Sequence, residues 1–306
     1  MKPTPNLLVV LGPTASGKTR LGVRLAHAFG GEVVSADSRQ VYRGLDIGSG
    51  KDLAEYVVDG APVPYHLIDI VDISEEFSVF NYQKRCFEVL EDLWARGRLP
   101  VLVGGTGLYI ESVLQGYRMV EAPENPALRA ALTDMSLDAL AERLRALKPR
   151  LHNTTDLNDR GRLVRAIEIA EHAATHEAEP APRIEPVILG TEWPRDVLRA
   201  RIRERLVARI EQGMIEEVER LRADGVTLER LRLLGLEYRH VADFLDGRIK
   251  NRNDLIQKLS SAIYQFARRQ MTWFRRMGRH GATIHWIPLA DFDAAYGVVA
   301  KAMGND

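Results

Sequence analysis

Eight consecutive residues, Gly12, Pro13, Thr14, Ala15, Ser16, Gly17, Lys18 and Thr19, match the spacing of a phosphate-binding loop in full. Such a loop turns its backbone amides inward as an anion nest at a helix N-terminus, the lysine adds a point charge, and the threonine hydroxyl can ligate Mg²⁺. The motif names a phosphate without naming its owner. Three further features carry possible chemistry. Asp37 ends an apolar run in "SADSRQ" and is a candidate general base, or a carboxylate that merely caps a turn. Thr106 is the side chain in the turn "GGTG" able to hydrogen-bond a substrate, in a stretch whose glycines equally suit a tight strand-to-helix turn. Arg201, Arg205 and Arg209 recur every four residues and so share one helical face, within a segment holding six arginines against Asp196 and Glu204 between 195 and 209. A second basic stretch, "QFARRQMTWFRRMGRH", adds five arginines with Trp273 and Phe274 and no acid. These are solvated faces by default, and a match for polyphosphate or nucleic acid when taken together.

The elements that must position these groups are legible as short β-branched runs alternating with helical stretches. The runs are "LLVVL" at 7–11, "EVVSA" at 32–36, "HLIDIV" at 66–71, "PVLVG" at 100–104, "PVILG" at 186–190 and "TIHWI" at 283–287. This alternation predicts an α/β protein with a doubly wound parallel sheet, in which ligands gather beyond the carboxyl ends of the strands. The phosphate loop, "DSRQ" and "GGTG" each follow such a run, so all three are expected at one crevice. Because the "EVVSA" strand follows the phosphate-loop strand in sequence, it is expected beside it in the sheet, with Asp37 one strand over from the phosphate. Residues 118–185 change texture: helical patterns such as "LDALAERLRALK" and "RLVRAIEIAEHA" lie between proline-rich brackets, with no convincing strand. They read as a helical insertion in a core formed by 1–117 and 186–306.

Bulk properties narrow the class further. The 306 residues hold 45% apolar and 27% charged side chains, enough for a substantial core, and 42 basic residues balance 42 acidic ones. Affinity for a polyanion must therefore come from local clusters. The single cysteine, Cys86, sits in a helical pattern as a small core residue, excludes a cysteine-rich zinc site and suits a reducing compartment. No run approaches the ~20 apolar residues of a membrane span. A cytoplasmic protein is expected. "NRND" at 251–254 lacks the lysine of a guanine-specificity motif, and the histidines show no metal-ligand spacing.

Nearly end to end, "GPTASGKT", "SADSRQVYRGLDIGSGK", "HLIDIVD", "VLVGGTGLYI", "NDRGRLVRAIEI", "LRARIRER" and "RRQMTWFRR" resemble the tRNA dimethylallyltransferases of bacterial type, which are built on the fold of the P-loop NTPases. The resemblance implies that residues 12–19 bind the diphosphate of dimethylallyl diphosphate, with Mg²⁺ on Thr19. It implies Asp37, Thr106 and Arg205 as catalytic residues, Arg205 aiding departure of diphosphate, with Arg201 the next candidate for that task. The acceptor it implies is the exocyclic amine of the adenosine 3′ of the tRNA anticodon, extruded from its stack. Asp37, Ser38, Arg39 and Gln40 would meet that base and its neighbours. Arg160, Gly161, Arg162, Leu163, Val164 and Arg165, in an insertion that clamps the anticodon arm, would contact tRNA; the expected state is a monomer. The chain departs from the family pattern where relatives read "GTAKP" and "GYKE" and it reads "GSGKD" at 48–52 and "GLEYR" at 235–239, and its insertion is somewhat short. Three alternatives stay open: an adenylate isopentenyltransferase acting on free AMP or ATP, a small-molecule P-loop kinase, and a non-catalytic RNA-binding NTPase switch. The insertion and the two arginine clusters argue against the first, and the switch leaves Asp37 without work.

Overall fold

The computed structural model describes residues 4–147 and 155–304. The outer limits at 1 and 306, and Lys148 at the end of the "LDALAERLRALK" pattern, lie outside them. In chain order the elements are β1 (Leu7–Leu11), α1 (Lys18–Ala28), β2 (Glu32–Ala36), β3 (Val57–Val58), β4 (Ala61–Pro62), β5 (Tyr65–His66), α2 (Val79–Ala95), β6 (Pro100–Gly104) and α3 (Gly107–Leu114). Then come α4 (Pro126–Leu132), α5 (Leu137–Leu147) and α6 (Arg160–Ala173), followed by β7 (Pro186–Glu192), α7 (Arg195–Glu211), α8 (Met214–Ala223) and α9 (Leu228–Leu233). The chain ends with α10 (Leu236–Leu245), α11 (Arg252–Arg279), β8 (Ile284–Pro288) and α12 (Phe292–Met303).

Two compact units result, one formed by residues 1–115 with 183–306 and the other by 116–182. The first is an α/β unit around a six-stranded sheet ordered β5-β2-β6-β1-β7-β8, every pairing of which is parallel. Both faces of β1 are buried, as a parallel sheet covered by helices requires. Alternate residues divide between the faces. Leu7, Val9 and Leu11 pack with Tyr82, Leu90, Ile110 and Phe274 from α2, α3 and α11, while Leu8 and Val10 pack with Leu21, Leu25, Ala295 and Val299 from α1 and α12. A third apolar layer joins α7 to α11 with Val41, Tyr42 and Leu45.

Two sequence expectations are corrected. β2 does not lie beside β1: β6 sits between them and pairs with both, so Asp37 is two strands from the phosphate loop. Consecutive strands of a doubly wound sheet need not be neighbours, and a crossover places the later β6 in the centre. The run 66–71 is not a six-residue strand either. Only Tyr65–His66 pairs, because Leu67 and Asp69 take φ of 62° and 57°, which turns the chain out of the sheet before Val71 makes an isolated bridge to Tyr42.

The second unit is helical. Leu128, Leu132, Leu140, Leu144, Leu163 and Ile167 form its core, and buried Glu168 ties Arg129, Arg165 and the Asn125 amide together. Among the described residues no helix is long and apolar enough to cross a membrane.

Candidate active site

The phosphate loop is shaped from outside. Ala15 and Gly17 take φ of 60° and 80°, the left-handed region that curls successive amides into a nest. Neighbouring side chains hold its carbonyls turned away. Trp193 Nε1 donates to Ser16 O (2.9 Å), Arg201 Nε donates to Ala15 O (3.0 Å), and the Arg201 guanidinium stacks 4.2 Å above the Trp193 ring. Arg201 is therefore a brace of the loop. Lys18, the first residue of α1, is half-buried beneath it, and desolvation with Arg205 and Arg209 nearby pushes its amine down to about 8 against the pull of Asp37.

Asp37 follows β2 and accepts the Arg39 amide on Oδ1 at 2.9 Å, an Asx turn that fixes "DSRQ". Thr106 Oγ1 accepts the Ser38 N–H at 3.0 Å, locking the β2 and β6 turns together, and the Thr106 amide donates to Ala36 O at 3.1 Å. Gln40 is buried, accepting Ser35 Oγ at 3.0 Å and donating to Gly50 O at 3.0 Å.

Gln270 on α11 links the two glycine loops, a role that nothing in its sequence neighbourhood signals. Its Oε1 accepts the Thr14 amide at 2.9 Å and its Nε2 donates to Gly105 O at 2.8 Å. A Cβ on Gly105 would lie 2.4 Å from that Nε2, so the close approach of α11 demands glycine there. Glu217 is the second residue that sequence reasoning missed. Buried on α8, it accepts the amides of Asp46, Ile47 and Gly48 (3.2, 2.7 and 3.1 Å) and the Tyr238 hydroxyl (2.7 Å), and so pins the loop that carries Asp52.

These turns open on one cavity of about 280 Å³, lined by Thr14, Lys18, Thr19, Asp37, Thr106 and Arg205 among others. Separation by two strands therefore does not separate Asp37 from the loop, since both reach over the carboxyl end of β6. A second opening beside Thr19 is lined by Asp52, Glu55 and Arg205. Burial, with the charge of Asp52 close by, raises the Glu55 carboxyl. Among the described residues no group of three or more His, Cys, Asp or Glu is arranged to hold a metal. A lone hydroxyl with carboxylates nearby fits Mg²⁺, which keeps several waters and leans on substrate phosphate rather than on a protein cage.

The 160–165 stretch lies in the helical unit. Arg160 donates to the carbonyls of Leu132, Thr133 and Met135, and Arg165 to Ala122 O at 2.6 Å, while Leu163 is in the core. Asp159 caps α6 on the Arg162 amide at 2.9 Å, Gly161 is exposed, and Val164 is half-buried. In the second basic stretch Arg275 pairs with Glu192 and Arg276 with Glu111.

A parallel sheet with a phosphate loop and helices on both faces defines a P-loop-type α/β protein. The family described as IPP transferase matches residues 40–277, and that described as isopentenyl transferase matches residues 5–61. The chain belongs to the IPP transferase family. A tRNA dimethylallyltransferase 1 of Geotalea uraniireducens (strain Rf4) is 60% identical over 283 residues, covering 92% of each chain. The crystal structure of a full-length tRNA isopentenylpyrophosphate transferase from Bacillus halodurans is similar with a TM-score of 0.69 and 32% identity, covering 98% of each chain. A eukaryotic dimethylallyltransferase captured acting on tRNA shares the fold, with a TM-score of 0.76 and 22% identity over 95% of this chain and 75% of that one.

Proposed function

We propose that the protein transfers the dimethylallyl group of dimethylallyl diphosphate to the exocyclic amine of the adenosine 3′ of the anticodon in tRNA, releasing diphosphate. The observation that carries this reading is one cavity uniting the phosphate nest with Lys18, Thr106, Arg205 and the carboxylate of Asp37. The activity named for a relative 60% identical supports it. The diphosphate takes the amides of 12–19 and the Lys18 amine, the adenine approaches from the Asp37 side, and the allylic carbon lies between them.

Transfer forms a bond from the amine nitrogen to the allylic carbon as the carbon–oxygen bond breaks, its electron pair leaving on diphosphate. An aromatic amine is a poor nucleophile because its lone pair is delocalised, so help is needed at both ends. Asp37 accepts the proton the nitrogen sheds, and the Asx turn with the Thr106 contact holds that carboxylate in place. Lys18 and Arg205 neutralise charge on the departing diphosphate. Thr19 would hold Mg²⁺, which when bound adds positive charge at the diphosphate oxygens. Ser38 and Arg39 are placed to meet the base, whereas Gln40 spends its amide holding the turn to Gly50. Contact of the 160–165 stretch with the anticodon arm, the monomeric state and a cytoplasmic site of action belong to the same proposal.

Incubation with labelled dimethylallyl diphosphate, Mg²⁺ and either unmodified tRNA, AMP or ATP tests it. Label in tRNA is expected. Label in AMP or ATP without tRNA would point to an adenylate isopentenyltransferase, and consumption of the γ-phosphate of ATP to a kinase; either would overturn the reading.

A further inference from the structure

The three arginines that share one face of α7 have different surroundings. Arg201 is spent on the Ala15 carbonyl and Trp193, and Arg205 is half-buried and ion-paired with Asp52. Arg209 is 7% exposed, and its Nη2 is buried without a hydrogen-bond partner. The nearest carboxylate oxygen, Asp52 Oδ2, stands 3.6 Å away, too far for a hydrogen bond. Room for this guanidinium is made by Gly50, which has φ of 70°; a Cβ there would sit 1.6 Å from Nη2 and 2.8 Å from Nη2 of Arg205. A buried, unpaired cationic donor is among the costliest groups a fold can carry. It lines the same cavity as Lys18, Asp37 and Arg205.

The surrounding charges do not settle it. Lys18, Arg205 and Arg209 converge on this cavity, Asp52 reaches Arg205 from the second opening beside Thr19, and Glu237, which lines the main cavity, has its carboxyl raised by desolvation. Asp52 has φ of 32°, a left-handed conformation that aspartate adopts more readily than most side chains, at the end of the loop that Glu217 caps. One short carboxylate thus serves two guanidiniums and saturates only one. A diphosphate, with more oxygens and more charge, could serve both.

We propose that Arg209 is a second arginine ligand of the diphosphate, and that Asp52 is a placeholder anion which the diphosphate displaces from the pair. This rests on diphosphate occupying the loop of residues 12–19. Substrate entry then exchanges the Asp52–Arg205 pair for contacts to both arginines, so the clamp is assembled only when the leaving group is present.

Calorimetric titration of inorganic diphosphate with Mg²⁺ into wild type, Arg209→Met, Arg209→Lys, Asp52→Asn and Lys18→Met tests the proposal. Arg209→Met should weaken binding about tenfold or more and Arg209→Lys less, because charge is kept but the fork geometry is lost. Asp52→Asn should tighten binding severalfold. Loss in Lys18→Met alone, with Arg209→Met at wild-type affinity, would overturn the Arg209 assignment while sparing the phosphate-loop reading; unchanged affinity in Lys18→Met would overturn that reading itself. An Arg209→Met variant that binds diphosphate normally but an anticodon stem-loop weakly would reassign Arg209 to tRNA. Should Arg209→Met fail to fold, the half-exposed Asp52→Asn still decides, and equal or weaker binding there refutes the placeholder.

Discussion

At the scale of the residue, the proposed chemistry turns on Asp37. One of its oxygens is committed to the Arg39 amide, which fixes the direction of the carboxylate. Removing the proton acceptor while keeping the shape should act on the chemical step and not on docking. Asp37→Asn is expected to lower the single-turnover rate about 10²- to 10⁴-fold with tRNA affinity close to wild type; a rate within a few-fold of wild type would remove Asp37 from the role of base. Thr106, beside it, has its oxygen directed at the Ser38 amide, so its first effect on the reaction passes through the position of the 37–40 turn.

At the scale of the element, the site is a set of turns held at fixed spacing by side chains from distant helices. Gln270 joins the phosphate loop to the turn that carries Thr106, and its loss would strand a half-buried amide and a buried carbonyl. Gln270→Leu is expected to lower Tm by several degrees and to raise KM for dimethylallyl diphosphate while lowering kcat, as loop and turn drift apart. Unchanged kinetics would show that the two turns hold their spacing without it. The phosphate loop, five of the six sheet strands and the turns bearing Asp37 and Thr106 were readable in the sequence, since local periodicity and glycine spacing encode them. What escaped was long-range. Which strand separates β1 from β2 depends on crossovers, and Gln270 and Glu217 act on residues 256 and about 170 positions away. The shortened β5 escaped for a local reason: the left-handed Leu67 and Asp69 sit in an apolar run that otherwise reads as a strand.

At the scale of the whole molecule, each unit carries a carboxylate whose ionisation supports the fold. Glu32, at the end of the sheet remote from the site, is held down to about 2 by Arg96 and His66, and Glu168 in the helical unit to about 2 by Arg129, Arg165 and the Asn125 amide. A carboxyl depressed in the folded state adds stability that is complete above its unfolded value near 4.5 and is lost as pH falls from there toward 2. Replacing Glu32 by Gln should therefore lower Tm at pH 7 and flatten its fall across that acid window; a parallel fall in both proteins would deny Glu32 that part. Within the α/β unit, Glu32 thus lies at the end of the strands opposite the proposed phosphate chemistry, which occupies the carboxyl end where the turns converge. The most direct measurement of the central claim is a crystal structure with an anticodon stem-loop and a non-hydrolysable dimethylallyl thiodiphosphate. The diphosphate is expected on the amides of residues 12–19, with the adenine amine within hydrogen-bond reach of Asp37 and the allylic carbon between them. A diphosphate bound away from that loop, or Asp37 turned from the extruded base to bulk solvent, would contradict that claim.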